Sequence, residues 1–278
     1  LQQLVKKAIA LIEPIHDAQL ASIRTSRVIS MDETGIKAGR DGPGKMHQGY
    51  FWPVHGDQDE ICFVYADSRR HAVVESTLGK QLAPDAVLLT DGYAAYDAYA
   101  NKTGVTHALC WAHVRREFFE AQSAEPAGAA QALEMIRALY AIEERIRTDK
   151  LAGESKRDYR HDHAKPIVMH FFDWIDAQFE QQGLLPKNPF VQALAYARDR
   201  RAGLEIFLAD PDVPIDNNHL ERWGARTGTF VGRSSAPSRS ASSKACWSPA
   251  ACTTSTRTPT WSTYCSVSAN IPPHASVS

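Results

Sequence analysis

Acidic residues are missing from the end of this chain. All 32 Asp and Glu of its 278 residues lie at or before Glu221. Residues 1–221 carry 25 basic side chains against those 32, a net −7, whereas residues 222–278 carry six basic side chains and no acidic one. Parts so different in charge are not read as one unit. Residues 234–278 also contain no Leu and no Gly, and 19 of these 45 positions are Ser or Thr. Nowhere does an apolar run approach the length of about 18 residues that a membrane helix needs, so a spanning segment is not expected. None of the five cysteines belongs to a Cys-x-x-Cys pair. That argues against a disulfide framework and a four-cysteine zinc site, and a reducing, cytoplasmic setting is expected. The opening Leu1-Gln2-Gln3 has neither a basic-then-apolar leader nor a Met, and an upstream segment is expected.

What is present is an ordinary globular composition, 44% hydrophobic and 23% charged. Residues 1–26 have the spacing of a leading helix. Val28 to Asp32 reads as a short strand, Lys37 to Gln48 as a Gly- and Lys-rich loop, and Gly49–Val54 with Ile61–Ala66 as a hairpin in which Pro53 favours an edge position. His71–Lys80 has helical spacing. Ala86–Thr90 is uniformly apolar, as in a strand buried on both faces. A helix from Tyr93 to Ala100, a strand from Val105 to Cys110 and a helix from Trp111 follow. This order predicts an α/β fold with a mixed five-stranded sheet and flanking helices. Residues 127–209 then show only helical periodicity, over Ala129–Arg147, Ile167–Gln182 and Pro189–Leu208, and read as an all-helical insertion. Residues 210–233 would return to the core of residues 27–126, with Asp216-Asn217-Asn218 supplying helix-capping chemistry. Residues 234–278 read as an aberrant or disordered tail.

Two aspartates stand where apolar strands stop, Asp32 and Asp91. Carboxylates there are held by rigid strands at the edge where α/β ligands bind. On neighbouring strands they could share a divalent cation, with Glu221 as a third oxygen ligand; such hard donors suit Mg²⁺ or Mn²⁺. Either aspartate alone is more usually a turn residue, and an early-helix Glu most often serves the helix dipole.

The wording around these acids carries more. Met31-Asp32-Glu33-Thr34, Thr90-Asp91-Gly92-Tyr93-Ala94-Ala95-Tyr96, Cys110-Trp111-Ala112-His113-Val114-Arg115-Arg116-Glu117-Phe118 and Asp216-Asn217-Asn218-His219-Leu220-Glu221-Arg222 occur in this order. Together they closely resemble the insertion-sequence-sixty-six family of bacterial transposases, over about residues 1–222. The resemblance implies an RNase H-like core of the Asp-Asp-Glu type, with Asp32, Asp91 and Glu221 as the catalytic and metal-binding acids. It also implies two Mg²⁺ or Mn²⁺ ions, cleavage at the element ends, joining of the freed 3′-hydroxyl to target DNA, and a homo-oligomer in a synaptic complex at the nucleoid. The family's upstream DNA- and zinc-binding region has no counterpart in this chain.

His113 matches the family's Cys-x-x-His, where it would orient DNA or a carboxylate; a helix-start His is the plain alternative. Arg115 and Arg116 could meet phosphate, as could Lys37, Arg40 and Lys45 beside Asp32. Each set reads equally as a solvated basic surface. His161, His163 and His170 are expected at an exposed helix entrance, and Trp52, Trp111 and Trp174 in the core.

The tail is explained by a shifted reading frame. Re-reading each codon's last base with the next two turns the junction of Trp223 and Gly224 into Gly. The following junctions can spell Arg-Lys-Asn-Trp, and Thr256–Ser268 can yield an amphipathic helix like the family's C-terminus. A deletion near codon 222 is inferred, leaving a copy whose activity is in doubt. The rivals are an RNase H-like nuclease that cuts without joining, and a non-catalytic remnant that binds DNA or intact transposase.

Overall fold

The computed structural model describes residues 2–42, 45–180 and 185–218. After α1 (Gln2–Ile23) come β1 (Val28–Met31), β2 (Thr34–Gly42), β3 (Lys45–His55) and β4 (Ile61–Ala66). The segments α2 (His71–Leu78), β5 (Val87–Thr90), α3 (Ala94–Thr103), β6 (Thr106–Leu109) and α4 (Trp111–Glu120) complete the first part. A helical block follows: α5 (Pro126–Thr148), α6 (Gly153–Tyr159), α7 (Lys165–Glu180), α8 (Pro189–Asp199) and α9 (Arg201–Ala209). A π-helical turn, Arg160–Ala164, joins α6 to α7.

The six strand segments form one mixed sheet with five lateral positions. The strand β3 is paired antiparallel to β4 on one edge and to both β1 and β2 on the other. The register runs unbroken from Ser30↔His55 and Met31↔Val54 to Thr34↔Phe51 and Ala38↔His47, so β1 and β2 are one strand interrupted at Asp32-Glu33. On its other side β1 is parallel to β5, and β5 to β6. Three antiparallel positions followed by two parallel ones, with helices on both faces, are compatible with an RNase H-like core.

Three local expectations are corrected. The stretch from Lys37 to Gln48 is not a loop but lies mostly in the arms of a hairpin, β2 and β3; Gly, Lys and Arg hide a strand whose pairing is carried by backbone hydrogen bonds rather than by an apolar face. Pro53 is not at an edge, because β3 lies between β4 and β1–β2. Its carbonyl accepts the Asp32 N–H at 3.3 Å, but a proline has no N–H to return to the opposite carbonyl. The missing donor therefore falls where the β1–β2 strand breaks, and it is tolerated in mid-sheet for that reason. The predicted Pro189–Leu208 helix is two helices, parted at Arg200.

Alternation along the central strands sorts the two cores. Ile29, Met31 and Leu88 face Trp52, Val54, Val74, Leu78 and Tyr96 under α1, α2 and α3. Val28, Val87 and Leu89 face the opposite way, into a core that runs through Trp111 and Phe118 of α4 to Ile136, Phe171, Phe190 and Phe207 of the helical block. The helical block thus shares one continuous core with a sheet face. Trp52 and Trp111 are fully buried and Trp174 nearly so.

The return segment crosses the sheet from one end to the other. Asp210 and Asp212 accept from Arg27, just before β1. Ile215 O accepts the Trp111 N–H at 3.1 Å, and the Asn217 N–H meets Cys110 Sγ at 3.5 Å, just past β6. Asn218, the last described residue, therefore lies on the edge where the parallel strands end. Glu221 and the Ser/Thr-rich tail are outside the described residues.

Candidate active site

The parallel register Ser30↔Leu89 places Met31 level with Thr90, and so the next residues, Asp32 and Asp91, level at one edge of the sheet. His113 reaches the same point from the first turn of α4. Ligand atoms of Asp32, Asp91 and His113 all lie within 4.8 Å of one another. Asp32 and Asp91 are half-buried. Among the described residues this is the one such grouping of His, Cys and carboxylate side chains. Two carboxylates and an imidazole are a donor set that fits Mn²⁺ or Mg²⁺, the nitrogen favouring the transition metal.

Each carboxylate is held by its own turn. Asp91 Oδ1 accepts the Tyr93 N–H at 2.9 Å, and Thr90 Oγ1 accepts the Gly92 N–H at 3.2 Å. Gly92 has φ +79°, and a Cβ there would stand 2.7 Å from Arg200 Nε, so the turn needs glycine both for its backbone and for the close approach of that arginine. The helical block closes over the turn: Tyr196 donates its hydroxyl to Asp91 O at 2.6 Å, and Arg200 Nη2 donates to Gly92 O at 3.1 Å. The Arg200 guanidinium lies 3.9 Å from the Tyr196 ring centroid. Across the gap, Asp32 Oδ1 accepts the Glu33 N–H at 2.8 Å.

Glu33 turns into the protein. Its side chain is 3% exposed, paired with the Arg69 guanidinium, and accepts the Tyr96 hydroxyl at 2.8 Å. Burial and then the Asp91 charge hold its carboxyl above the ordinary range, against the lowering pull of Tyr96 and Arg69. A carboxyl raised by folding contributes stability below its unfolded pKa and loses it as pH rises through the folded one. Glu33→Gln keeps an acceptor for Tyr96 and does not titrate. The stability of E33Q relative to the wild type should therefore increase as the pH rises from about 4, the ordinary carboxylate range, toward neutrality. Urea unfolding across that range checks it, and parallel profiles would overturn it.

The other residues singled out in the sequence fall as follows. Lys37 is exposed on β2 rather than in a loop, and Arg40 and Lys45 lie on the two arms of the hairpin. Arg115 and Arg116 are exposed on α4, as are His161, His163 and His170 on the helical block. Cys110 does not join His113 in a metal pair: burial pushes its thiol up to about 12, and its sulfur instead meets the return segment. Glu221 lies outside the described residues. Sequence reasoning missed Glu33, Tyr196 and Arg200 as neighbours of the acids. Glu33 had a signal, its place beside Asp32 within a quoted motif. Tyr196 and Arg200, more than 100 positions from Asp91 in the chain, had none.

A family model described as "Transposase IS66 family" matches residues 1–223. Among curated proteins, "Uncharacterized protein y4qI" of Sinorhizobium fredii (strain NBRC 101917 / NGR234) is 26% identical over 227 residues, covering 76% of this chain and 41% of its own length. "Uncharacterized protein y4hP" of the same strain is 26% identical over 266 residues, covering 84% and 46%. The chain spans less than half the length of these relatives. No helix among the described residues is long and apolar enough to cross a membrane.

Proposed function

Because this chain belongs to the transposase IS66 family, we propose that it carries the catalytic core of a DNA transposase, with Asp32, Asp91 and Glu221 as its acids. The observation that carries this reading is the level placement of Asp32 and Asp91 on adjacent parallel strands, with His113 completing a donor set within 4.8 Å. Divalent cations held there would supply the Lewis acidity that activates water or a 3′-hydroxyl and stabilises the leaving oxygen. The protein's own part is positioning. The Thr90–Tyr93 turn and the β1–β2 break fix the two carboxylates, while Tyr196 and Arg200 clamp the turn from behind. Rigid support of this kind matters because misplacement by about 1 Å is costly to catalysis.

Glu221 follows Asn218 by three positions, a reach of at most about 11 Å, and Asn218 lies on the acids' edge. Lys37, Arg40, Lys45, Arg115 and Arg116 are proposed contacts for the DNA backbone, and His113 a contact for DNA or metal. Residues 27–126 and 210–233 form the proposed core, 127–209 the insertion, and 1–26 a leading helix. Element ends and target DNA are the proposed partners, within a homo-oligomeric synaptic complex at the nucleoid. The tail's composition favours a frame displaced after codon 222, so this copy would be impaired.

A strand-transfer assay tests the proposal, run on the chain as it stands and on a frame-restored gene with labelled DNA taken from the element's ends. A joined product from the restored chain that requires Mg²⁺ or Mn²⁺ supports it. Cleavage without joining supports a nuclease instead. DNA binding with neither supports a non-catalytic remnant.

A further inference from the structure

A groove of about 680 Å³ opens beside the two carboxylates, between the hairpin arm β3, the turn after β4 and the start of α3. Its walls include Gln48, Tyr50, Arg69, Arg70, His71 and Tyr93. Neither acid lines it, but two of its wall residues reach toward them. Tyr93 binds Asp91 Oδ1 through its backbone N–H, and Arg69 is paired with Glu33, the neighbour of Asp32. The Arg69 guanidinium lies 4.3 Å from the Tyr93 ring centroid and 6.0 Å from that of Tyr50, and Tyr93 donates its hydroxyl to Arg69 O at 2.9 Å. Together these three side chains make a cationic and aromatic floor.

Three features favour an anion on that floor. Arg70 and His71 are exposed, and no carboxylate among the described residues engages Arg70. Two helices, α2 and α3, begin at the groove, and neither N-cap residue, Arg70 or Tyr93, makes a side-chain capping bond. The first residues of both helices, His71 and Ala94, stand in its wall, so the positive helix ends lie beside it. The one carboxylate on the rim, Asp67, accepts the Tyr65 hydroxyl at 2.6 Å and lies 3.3 Å from His47 Nε2, so part of its charge is already answered. The volume suits an extended ligand rather than a single phosphate.

We propose that this groove holds the phosphodiester backbone of a DNA strand leading to the Asp32–Asp91 edge, with Arg70 and His71 as its phosphate contacts and the Tyr50–Arg69–Tyr93 stack as its floor. The proposal rests on the transposase reading and names a strand-binding surface for it.

Fluorescence anisotropy of a labelled single-stranded oligonucleotide with the full chain tests it, in EDTA so that no cutting intervenes, across a NaCl series. Arg70→Gln should weaken binding about three- to tenfold and lower the salt slope by about 0.7, one phosphate contact on a single strand. R70Q/H71Q should weaken it further. Lys150→Gln removes the same charge next to Leu151, at the opposite end of β1, and should change affinity less than twofold. Equal effects of R70Q and K150Q, or no oligonucleotide binding by the wild type, overturn the proposal. So does a dinucleotide or inorganic phosphate that matches the long strand, which would make the groove a site for small phosphates. If R70Q lowers affinity as expected but the frame-restored chain shows no metal-dependent cutting or joining, the transposase reading fails alone. If joining proceeds and R70Q binds normally, the groove assignment fails alone.

Discussion

Replacing Asp91 by Asn should weaken Mn²⁺ binding at least about 100-fold. Groups that only support a metal ligand typically cost 10- to 100-fold when removed, and a direct ligand should exceed that. The substitution leaves the turn intact, because an Asn side-chain oxygen can still accept the Tyr93 N–H that Asp91 Oδ1 accepts at 2.9 Å. The clamp is preserved as well, since Tyr196 grips the backbone carbonyl rather than the carboxylate. Loss of affinity without loss of melting temperature would therefore report the ligand and not the fold. Isothermal titration of Mn²⁺ into the wild type and D91N, with thermal unfolding of both, measures this. Undiminished Mn²⁺ affinity in D91N would remove Asp91 from the site.

The largest expected loss of stability lies elsewhere, at Arg160. Its side chain is wholly buried, paired with Glu143 through two contacts of 2.8 Å. It also donates to the carbonyls of Phe207, Asp210 and Val213 at 2.7, 3.1 and 3.0 Å. One guanidinium thus ties α5 to the end of α9 and to the start of the return segment. Arg160→Met would strand the partly buried carboxylate of Glu143 and three carbonyls. Breaking such a buried pair from one side costs about 3–5 kcal/mol. At about 2–4 °C per kcal/mol for a chain of this size, the melting temperature should fall by roughly 6–20 °C. The double variant R160M/E143M should recover part of the loss, since an apolar pair leaves no unpaired charge. Urea and thermal unfolding decide it, and a loss under about 1 kcal/mol would show that the pair is dispensable.

Much of the site's scaffold was legible because strand periodicity is a property of neighbouring residues. The uniformly apolar Ala86–Thr90 announced a strand buried on both faces, and Leu88 and Leu89 do enter opposite cores. The same pattern put Asp32 and Asp91 at strand ends before their pairing was known. The arms of the β2–β3 hairpin were not legible, because Lys37, Arg40 and Lys45 give no apolar alternation and the ladder is made by backbone groups. Pro53 misled for a related reason: its missing donor is answered by the strand break at Asp32 in the neighbouring strand, which no residue beside Pro53 records.

By itself, then, the sequence determined most of the elements and their order, the two-sided burial of Ala86–Thr90, the family motifs and the two strand-end carboxylates, since each depends on residues close together in the chain. Only the tertiary structure decided that Asp32 and Asp91 are level, that His113 joins them within 4.8 Å, and that Tyr196 and Arg200 close over the turn. It alone placed Asn218 on the acids' edge, and Arg160 at the junction of helices and return segment. These are matters of register and long-range closure. They are set by which backbone ladders and cores can be satisfied at once, and that sum is taken over the whole chain.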